Sequence, residues 1–243
     1  MAANLASLNA TPTYSLALPF SKLTVKYRPY TVAEQKLLLI AKEEGTPQAM
    51  SDAIRQMVKD CTFDKIDTSK VPTFETELLL LNIRGRAVSS TIDLVMECNE
   101  CNKKSDVKIA IDDIKVVGDI KEDTAIKLKD DLYVIMSYPT ATVSAIASSI
   151  QQATSEEEQF TASLDLLCSC IKSIVHGDDV YEVADQPKDQ LVAFINTLIE
   201  SQINDMKQFV ETCPTVLYEG KHTCPHCKKE NETFIGGLDN FFG

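Results

Sequence analysis

Four cysteines with the spacing of metal ligands are the most informative residues of this chain. Cys98 and Cys101 form a Cys-x-x-Cys pair in LVMECNECNKKSD, and Cys224 and Cys227 form a second pair in EGKHTCPHCKKENE. Each pair lies in a polar loop between two segments with the alternating pattern of β-strands. Two such hairpins facing one another would place four thiolates around one tetrahedral ion. The spacing therefore predicts a structural zinc site, with Cys98, Cys101, Cys224 and Cys227 as its ligands.

Two other interpretations of these cysteines exist. The pairs could be unrelated to each other or to a metal, and the eight cysteines of the chain could form disulfides. The N-terminal sequence has no basic segment followed by a compact apolar one, which indicates no secretion signal and a reducing site of synthesis. Zinc is then favoured over disulfides. We expect the other four cysteines to be small buried hydrophobic residues, namely Cys61, Cys168, Cys170 and Cys213.

Catalytic chemistry is not indicated by the sequence. His226 lies between the ligands in CPHC and could replace one of them, but four thiolates already fill a tetrahedron, so we expect His226 to face solvent. Such a site leaves no open position for an activated water. A Gly-rich phosphate loop and a nucleophile elbow are also missing from the sequence. We therefore expect no catalytic residues, no small-molecule substrate and no enzymatic activity.

The composition is that of an acidic globular protein. The 243 residues are 44% hydrophobic and carry a net charge of −12. This charge argues against general affinity for nucleic acid or anionic membranes. No apolar run is long enough to span a bilayer.

Lysines beside both cysteine pairs nevertheless support an alternative function, a zinc-ribbon nucleic-acid-binding factor. Zinc ribbons with basic loops can contact phosphates, and the residues concerned here are Lys103, Lys104, Lys221, Lys228 and Lys229. Glutamates are interleaved with these lysines, and no stacking aromatic residue lies beside them. Solvated loop lysines are the favoured interpretation.

The N-terminal third shows one strand and three helices. KLTVKYR predicts a strand at 22–28 with Leu23, Val25 and Tyr27 on one face. Thr31 and Glu34 form a capping box before a helix that ends at Gly45. A second helix is predicted at about 48–60. A third follows Pro72, with Thr73 as its cap and Gly85 at its end.

The remaining pattern alternates between strands and helices. Strands are predicted at 88–97, at 106–111 and in LYVIMSY after Asp130, and again in VLYEGKH and ETFIGG near the C-terminus. Between Thr140 and Pro214 the pattern is helical, with one short helix to about Gln152, one from Ser155 through Ile171 and Ile174 to Gly177, and one from Asp185 to Cys213. The apolar stripes of these helices predict packing on one another, and a groove for a partner helix is the alternative.

These elements predict an α+β fold. It consists of a helical N-terminal region and a small zinc-ribbon-like β domain closed by two CxxC knuckles, with a helical insertion between them. The predicted regions are an uncharged N-terminal arm at 1–21, a strand plus helical bundle at 22–87, a discontinuous zinc-binding β domain at 88–139 and 215–243, and the helical insertion at 140–214. The arm could be a disordered leader or a docking segment.

Three long segments follow one another in a characteristic order. They are LPFSKLTVKYRPYTVAEQKLLLIAKEE, VPTFETELLLLNIRGRAVSS before the first cysteine pair, and LVAFINTLIESQINDMKQFVETCPTVLYEGKHTCPHCKKENETFIGGLDNFF with its terminal aromatic pair. Their order resembles that in the baseplate hub proteins of T-even-type myoviruses, and the resemblance covers about residues 18 to 242. The long uncharged arm and the loop that carries Gly118 and Asp119 depart from the pattern.

The resemblance implies virion assembly instead of catalysis. The chain would be a structural or assembly component of the central hub of a contractile-tail baseplate, made in the host cytoplasm and located in the virion. Its partners would be other phage baseplate and tail hub proteins. The candidate partner-facing residues are Leu16, Leu18, Arg28, Tyr30, Arg84, Arg86, Phe241 and Phe242. The arginines could equally bind helix C-terminal carbonyls within the fold, and the terminal aromatics could fold back onto the β domain.

Overall fold

The computed structural model describes residues 9, 11–140 and 155–236. The predictions for the first residues of the arm, for the short helix before Gln152, and for Phe241 and Phe242 lie outside the described residues.

Six helices and eleven strands occupy the described ranges. In chain order they are β1 (Tyr14–Ala17), β2 (Thr24–Tyr27), α1 (Val32–Glu44), α2 (Pro47–Cys61), α3 (Thr73–Ala87), β3 (Thr91–Glu97), β4 (Lys104–Ala110), β5 (Ile114–Val117), β6 (Thr124–Lys127), β7 (Leu132–Met136), α4 (Glu156–Ser169), β8 (Ile171–His176), β9 (Asp179–Glu182), α5 (Lys188–Ile195), α6 (Glu200–Glu211), β10 (Thr215–Thr223) and β11 (Glu230–Gly236).

Residues 14–18 fold onto the protein, which corrects this described part of the arm predicted at 1–21. β1 pairs antiparallel with β2, so that Tyr14 lies opposite Tyr27. Leu18 is only 1% exposed and belongs to the same apolar core as Val25. Full burial of an apolar side chain such as Leu18 is worth about 1.5–3 kcal/mol, which holds these residues on the fold.

A buried carboxylate holds the connection between β1 and β2. Glu75, in the first turn of α3, is fully buried. Its Oε1 accepts hydrogen bonds from the backbone N–H groups of Phe20 at 2.6 Å and Ser21 at 3.0 Å, and the Ser21 hydroxyl donates to its other oxygen. A buried carboxylate with several donors is well compensated for its loss of water.

The ends of α1 are formed as predicted. The Thr31–Glu34 capping box is present, and Gly45 ends the helix in the left-handed region at φ 71°. Both signals are local in sequence, because the capping groups lie within one turn of the helix end.

The ends of α3 differ from the prediction. Pro72 is the N-cap residue, and the hydroxyl of Thr73 instead donates to the carbonyl of Pro139 at 2.9 Å. The helix also continues past Gly85 to Ala87. A Cβ at Gly85 would lie 2.6 Å from Cδ1 of Ile111, so this glycine permits close packing between the helix and the β region.

The strands form four antiparallel sheets. β1 and β2 form one pair, β3 and β4 another, and β5, β10 and β11 form a sheet in the order β11–β10–β5. β6, β7, β8 and β9 form the fourth sheet in that order.

The fourth sheet corrects the prediction of a helical insertion at 140–214. The predicted helix through Ile171 and Ile174 ends at Ser169, and residues 171–176 form β8, which pairs with β7 and β9. The next predicted helix is divided into α5 and α6. β6 and β7 therefore belong to a sheet covered by α4–α6, not to the cysteine-bearing β region, and only the α+β class is confirmed.

Three apolar cores hold these parts together, and α3 belongs to two of them. Leu79 and Ile83 of α3 lie in the core with β1, β2 and α2, while Phe74 and Leu81 lie in the core with β3–β5 and β10. The third core lies between the fourth sheet and α4–α6. An interior helix with apolar residues on several faces is expected to be buried in this way.

The cysteines outside the two pairs are mostly buried, as predicted. Cys61, Cys168 and Cys170 are buried, and Cys213 is half-buried. Burial raises the pKa of the Cys61 thiol to about 12 and that of the Cys170 thiol to about 11, so both are neutral at physiological pH. No helix in the described part of the chain is long and apolar enough to cross a membrane.

Arg28, a predicted partner-facing residue, points into the fold. Its Nη2 lies 2.7 Å from Oε1 of Glu34, and the two side chains are 17% and 8% exposed. The same guanidinium donates to the carbonyl of Pro29. Arg86 instead lies over the ring of Tyr14, 4.9 Å from its centroid.

Replacement of Glu34 by Gln is expected to lower the unfolding free energy by about 2–3 kcal/mol at pH 7. Burial raises the pKa of Glu34, but hydrogen bonds from Arg28 and Thr31 outweigh burial and lower it from 4.5 to about 2. A lowered folded-state pKa stabilises the fold above the unfolded-state pKa, and this contribution disappears as the pH falls through about 2. Urea denaturation of both proteins between pH 7 and pH 2 measures the effect. The exposed Glu43→Gln is the control, and a difference that stays constant with pH contradicts the prediction.

Candidate metal centre

Two β-hairpins bring the four paired cysteines together. Cys98 and Cys101 lie between β3 and β4, and Cys224 and Cys227 lie between β10 and β11. The four sulfur atoms all lie within 4.8 Å of one another. Sγ of Cys98 is 3.6 Å from Sγ of Cys227, and Sγ of Cys101 is 3.7 Å from Sγ of Cys224. The meeting of the two pairs, which the sequence predicts, is therefore present in the fold.

The same backbone turn forms both knuckles. The first cysteine of each pair closes the turn through its own N–H and carbonyl, in the bonds Cys98 N–H to Lys103 O (3.0 Å), Asn102 N–H to Cys98 O (2.9 Å), Cys224 N–H to Lys229 O (2.9 Å) and Lys228 N–H to Cys224 O (3.0 Å). Asn102 and Lys228, each directly after the second cysteine, have φ of 53° and 61°. The left-handed backbone conformation at this position turns the chain back into the next strand, although it is unfavourable for residues other than glycine.

Asn231 connects the two knuckles. Its Oδ1 accepts a hydrogen bond from the backbone N–H of Asn99 at 3.0 Å, and its Nδ2 donates to the carbonyl of Lys229 at 3.2 Å. The residue is buried in β11. Sequence reasoning missed it, because an Asn beside a polar knuckle is typical of a loop and its burial is seen only in the fold.

Backbone N–H groups favour the thiolate form of the first cysteine in each knuckle. The N–H groups of Cys101 and Glu100 lower the pKa of Cys98 to about 6, although burial opposes them. The N–H groups of Cys227 and His226 lower the pKa of Cys224 in the same way. Both effects are charge-assisted hydrogen bonds to sulfur.

The second cysteine of each knuckle behaves in the opposite way. The N–H of Lys229 lowers the pKa of Cys227, but burial and the neighbouring sulfur atoms raise it to about 12. Cys101 is raised likewise, against the N–H of Lys103. Burial and the neighbouring sulfur atoms therefore favour the neutral form of these two thiols. A bound divalent cation would favour the thiolate form of all four ligands.

The donor set and its geometry fit a metal ion. A tetrahedral ion with metal–sulfur bonds of about 2.3 Å requires sulfur–sulfur distances of about 3.8 Å. The two closest sulfur pairs, at 3.6 and 3.7 Å, already meet that requirement. Cys98 and Cys224 are buried while Cys101 and Cys227 are half-buried. In residues 9, 11–140 and 155–236 no other group of three or more Cys, His, Asp or Glu side chains is arranged in this way.

The basic residues beside the knuckles lie outside the sulfur cluster. His226 is exposed, and its Nε2 lies 3.4 Å from the carbonyl of Lys104. Lys221 forms ion pairs with Glu230 at 3.0 Å and Glu232 at 3.7 Å. Exposed pairs of this kind are worth little stability, but they neutralise one of the lysines that a phosphate backbone would need.

A protein family matches most of the chain. The family described as T4 bacteriophage base plate protein matches residues 11–243. No curated protein and no solved structure matches the chain.

Replacement of Asn231 by Ala is expected to weaken metal binding by about 10–100-fold. The substitution leaves the Asn99 N–H without its acceptor and frees the two knuckles to move relative to one another. Titration of the metal-free chain with Co²⁺, followed by the absorption of the thiolate complex, measures the change.

The exposed Asn204→Ala is the matched control and should bind Co²⁺ as tightly as the unaltered chain. Equal affinity in all three proteins would show that Asn231 does not position the ligands.

Proposed function

The chain belongs to the T4 bacteriophage base plate protein family, and from this premise we propose that it is a structural or assembly component of the central hub region of a contractile-tail baseplate. In this role it makes protein–protein contacts, and a structural zinc ion bound by Cys98, Cys101, Cys224 and Cys227 fixes its shape. The protein is made in the host cytoplasm and located in the tail baseplate of the virion.

The observation that carries the baseplate role is the extent of the family match. It runs from residue 11 to residue 243, so it includes every described helix and strand. The sequence resemblance to hub proteins, with its Leu-rich helix that ends in a basic residue before the first cysteine pair and its C-terminal knuckle, supports the hub region within the baseplate.

The proposal of zinc rests on the chemistry of the donors. Thiolates are soft ligands that select zinc, copper(I) or iron–sulfur clusters over magnesium or calcium. A single tetrahedral position bounded by two knuckles is typical of structural zinc. The ion would supply a rigid link between two hairpins that form no β-pairing with each other in the described residues.

We propose a non-catalytic role for the site. Its four thiols occupy all positions of a tetrahedron, so no position is left for a substrate or an activated water. A rigid link is instead useful in an assembly protein, which must present fixed surfaces to several neighbours.

The purified chain is expected to contain about one zinc ion, and Cys224→Ser is expected to lose most of it. A hydroxyl is a poor zinc ligand, and the three remaining thiolates bind far more weakly. Elemental analysis and thermal unfolding measure both effects. Cys168→Ala, which removes a buried thiol from the third core, is the control and should keep its zinc. A Cys224→Ser protein with full zinc and an unchanged melting temperature rules out the zinc site.

Purification of the tagged chain from phage-infected cells is expected to recover tail and baseplate proteins, identified by mass spectrometry. The association should persist at about 0.5 M salt, because binding between proteins weakens less with salt than binding to the phosphate backbone of a nucleic acid. Recovery of nucleic acid in place of tail proteins would support the zinc-ribbon nucleic-acid-binding alternative and contradict the baseplate role.

A further inference from the structure

A groove of about 490 Å³ lies between strand β6 and helix α6. Thr124 and Ile126 of β6 form one wall, and Gln208 and Phe209 of α6 form the other. α6 packs on the inner face of the sheet through the buried Met206, so the groove follows the border between the helix and the sheet.

β6 is an end strand of its sheet. In the described residues it pairs with β7 alone, in the order β6–β7–β8–β9. The free edge of an end strand carries unpaired backbone N–H and C=O groups, which can pair with one more strand. An edge beside a helix-walled groove gives both the backbone partners and the side-chain pockets that an added strand needs.

Hydrogen bonds hold the walls of the groove in place. The Tyr138 hydroxyl accepts from the N–H of Lys121 at 2.8 Å and donates to the carbonyl of Asp119 at 3.3 Å. Nε2 of Gln202, in the first turn of α6, donates to the carbonyl of Leu128, directly after β6, at 2.9 Å and so joins the helix to the strand. The ring of Phe209 stacks on Tyr138 with centroids 5.7 Å apart and gives the groove an apolar floor. The groove is therefore preformed, which lowers the entropic cost of binding.

The groove lies at an acidic part of the chain. Residues 141–213, which include α6, contain 12 Asp and Glu against three Lys and Arg, so this segment carries −9 of the chain's net charge of −12. The charged residues that line the groove are Asp119, Asp205 and Lys121, so acidic groups outnumber basic ones there. Neither carboxylate forms an ion pair with another described residue. An acidic groove attracts basic groups and repels a second copy of the same acidic chain.

We propose that this groove binds an extended segment of a partner protein, which adds to β6 as a further strand and places a Lys or Arg side chain near Asp119 and Asp205. The inference rests on the proposed function in one respect, that the partners of the chain are other proteins. The free strand edge favours an extended backbone, and the two carboxylates favour a basic side chain.

The test is selection of a random heptapeptide library on the full-length, metal-loaded chain. Enriched peptides are expected to contain Lys or Arg and to lose at least about tenfold in affinity when alternate backbone amides are N-methylated, because strand addition uses those amides. Hydrogen exchange should slow at residues 124–127. Failure to enrich any peptide, enrichment of acidic peptides, or insensitivity to N-methylation would overturn the proposal.

Two pairs of exposed variants locate the site. Asp205→Lys reverses a charge in the groove, and Asp189→Lys makes the same change on α5. Gln208→Trp fills the groove, and Gln190→Trp adds the same bulk on α5. Fluorescence polarisation of the selected peptides should show losses of about tenfold for both groove variants and none for the α5 variants. Equal affinity of the peptides for all four variants would contradict binding in the groove. A dimer of the unaltered chain in sedimentation, disrupted by Gln208→Trp alone, would also contradict the proposal, because a second copy of the chain would then occupy the groove.

The same variants separate this inference from the baseplate role. If tail proteins co-purify equally well with the unaltered chain and with both groove variants, the groove inference is wrong and the baseplate role stands. If no tail protein associates with the unaltered chain, the baseplate role is wrong, and the peptide measurements still decide whether the groove binds an extended basic segment.

Discussion

Closure of the two knuckles onto each other is the constraint on which the β region depends. The hairpins β3–β4 and β10–β11 lie in different sheets and share no β-pairing. Their connection consists of a shared apolar core, the Asn231 hydrogen bonds and the four cysteines, which are separated along the chain by as many as 129 residues. A cross-link between such distant positions removes much conformational freedom from the unfolded chain. A metal ion bound there would stabilise the relative placement of everything attached to the hairpins.

The region that carries the acidic groove is inserted between two paired strands of the β region. It leaves the β region after β5 and returns at β10, and these two strands pair antiparallel, with Val117 opposite Thr215. Its two ends are therefore side by side, and a Cβ at Gly118 would lie 3.1 Å from Cα of Pro214. Gly118 also has φ of 118°, which side chains disfavour. Contacts of Tyr138 with Phe20, Phe74 and Phe209 then fix the region against α3.

Sequence reasoning succeeded where the physical signal is local. The cysteine spacing, the capping box at Thr31 and the left-handed Gly45 each act within a few residues, so the pattern alone identifies them. It failed where distant pairing decides the structure. Ile171 and Ile174 are three residues apart, which fits a helix, but pairing of β8 with β7 makes this segment a strand. Burial of Leu18, the bond from Asn231 and the groove beside β6 likewise require the tertiary fold.

The distribution of charge divides two tasks between different parts of the chain. Residues 215–236, which include one knuckle, contain equal numbers of acidic and basic residues, whereas residues 141–213 carry −9. Screening limits the reach of these charges to about 8 Å at physiological salt, so only a surface close to the acidic region senses it. In the proposed roles, partner selection by charge belongs to the α6 side, and the near-neutral knuckle maintains shape.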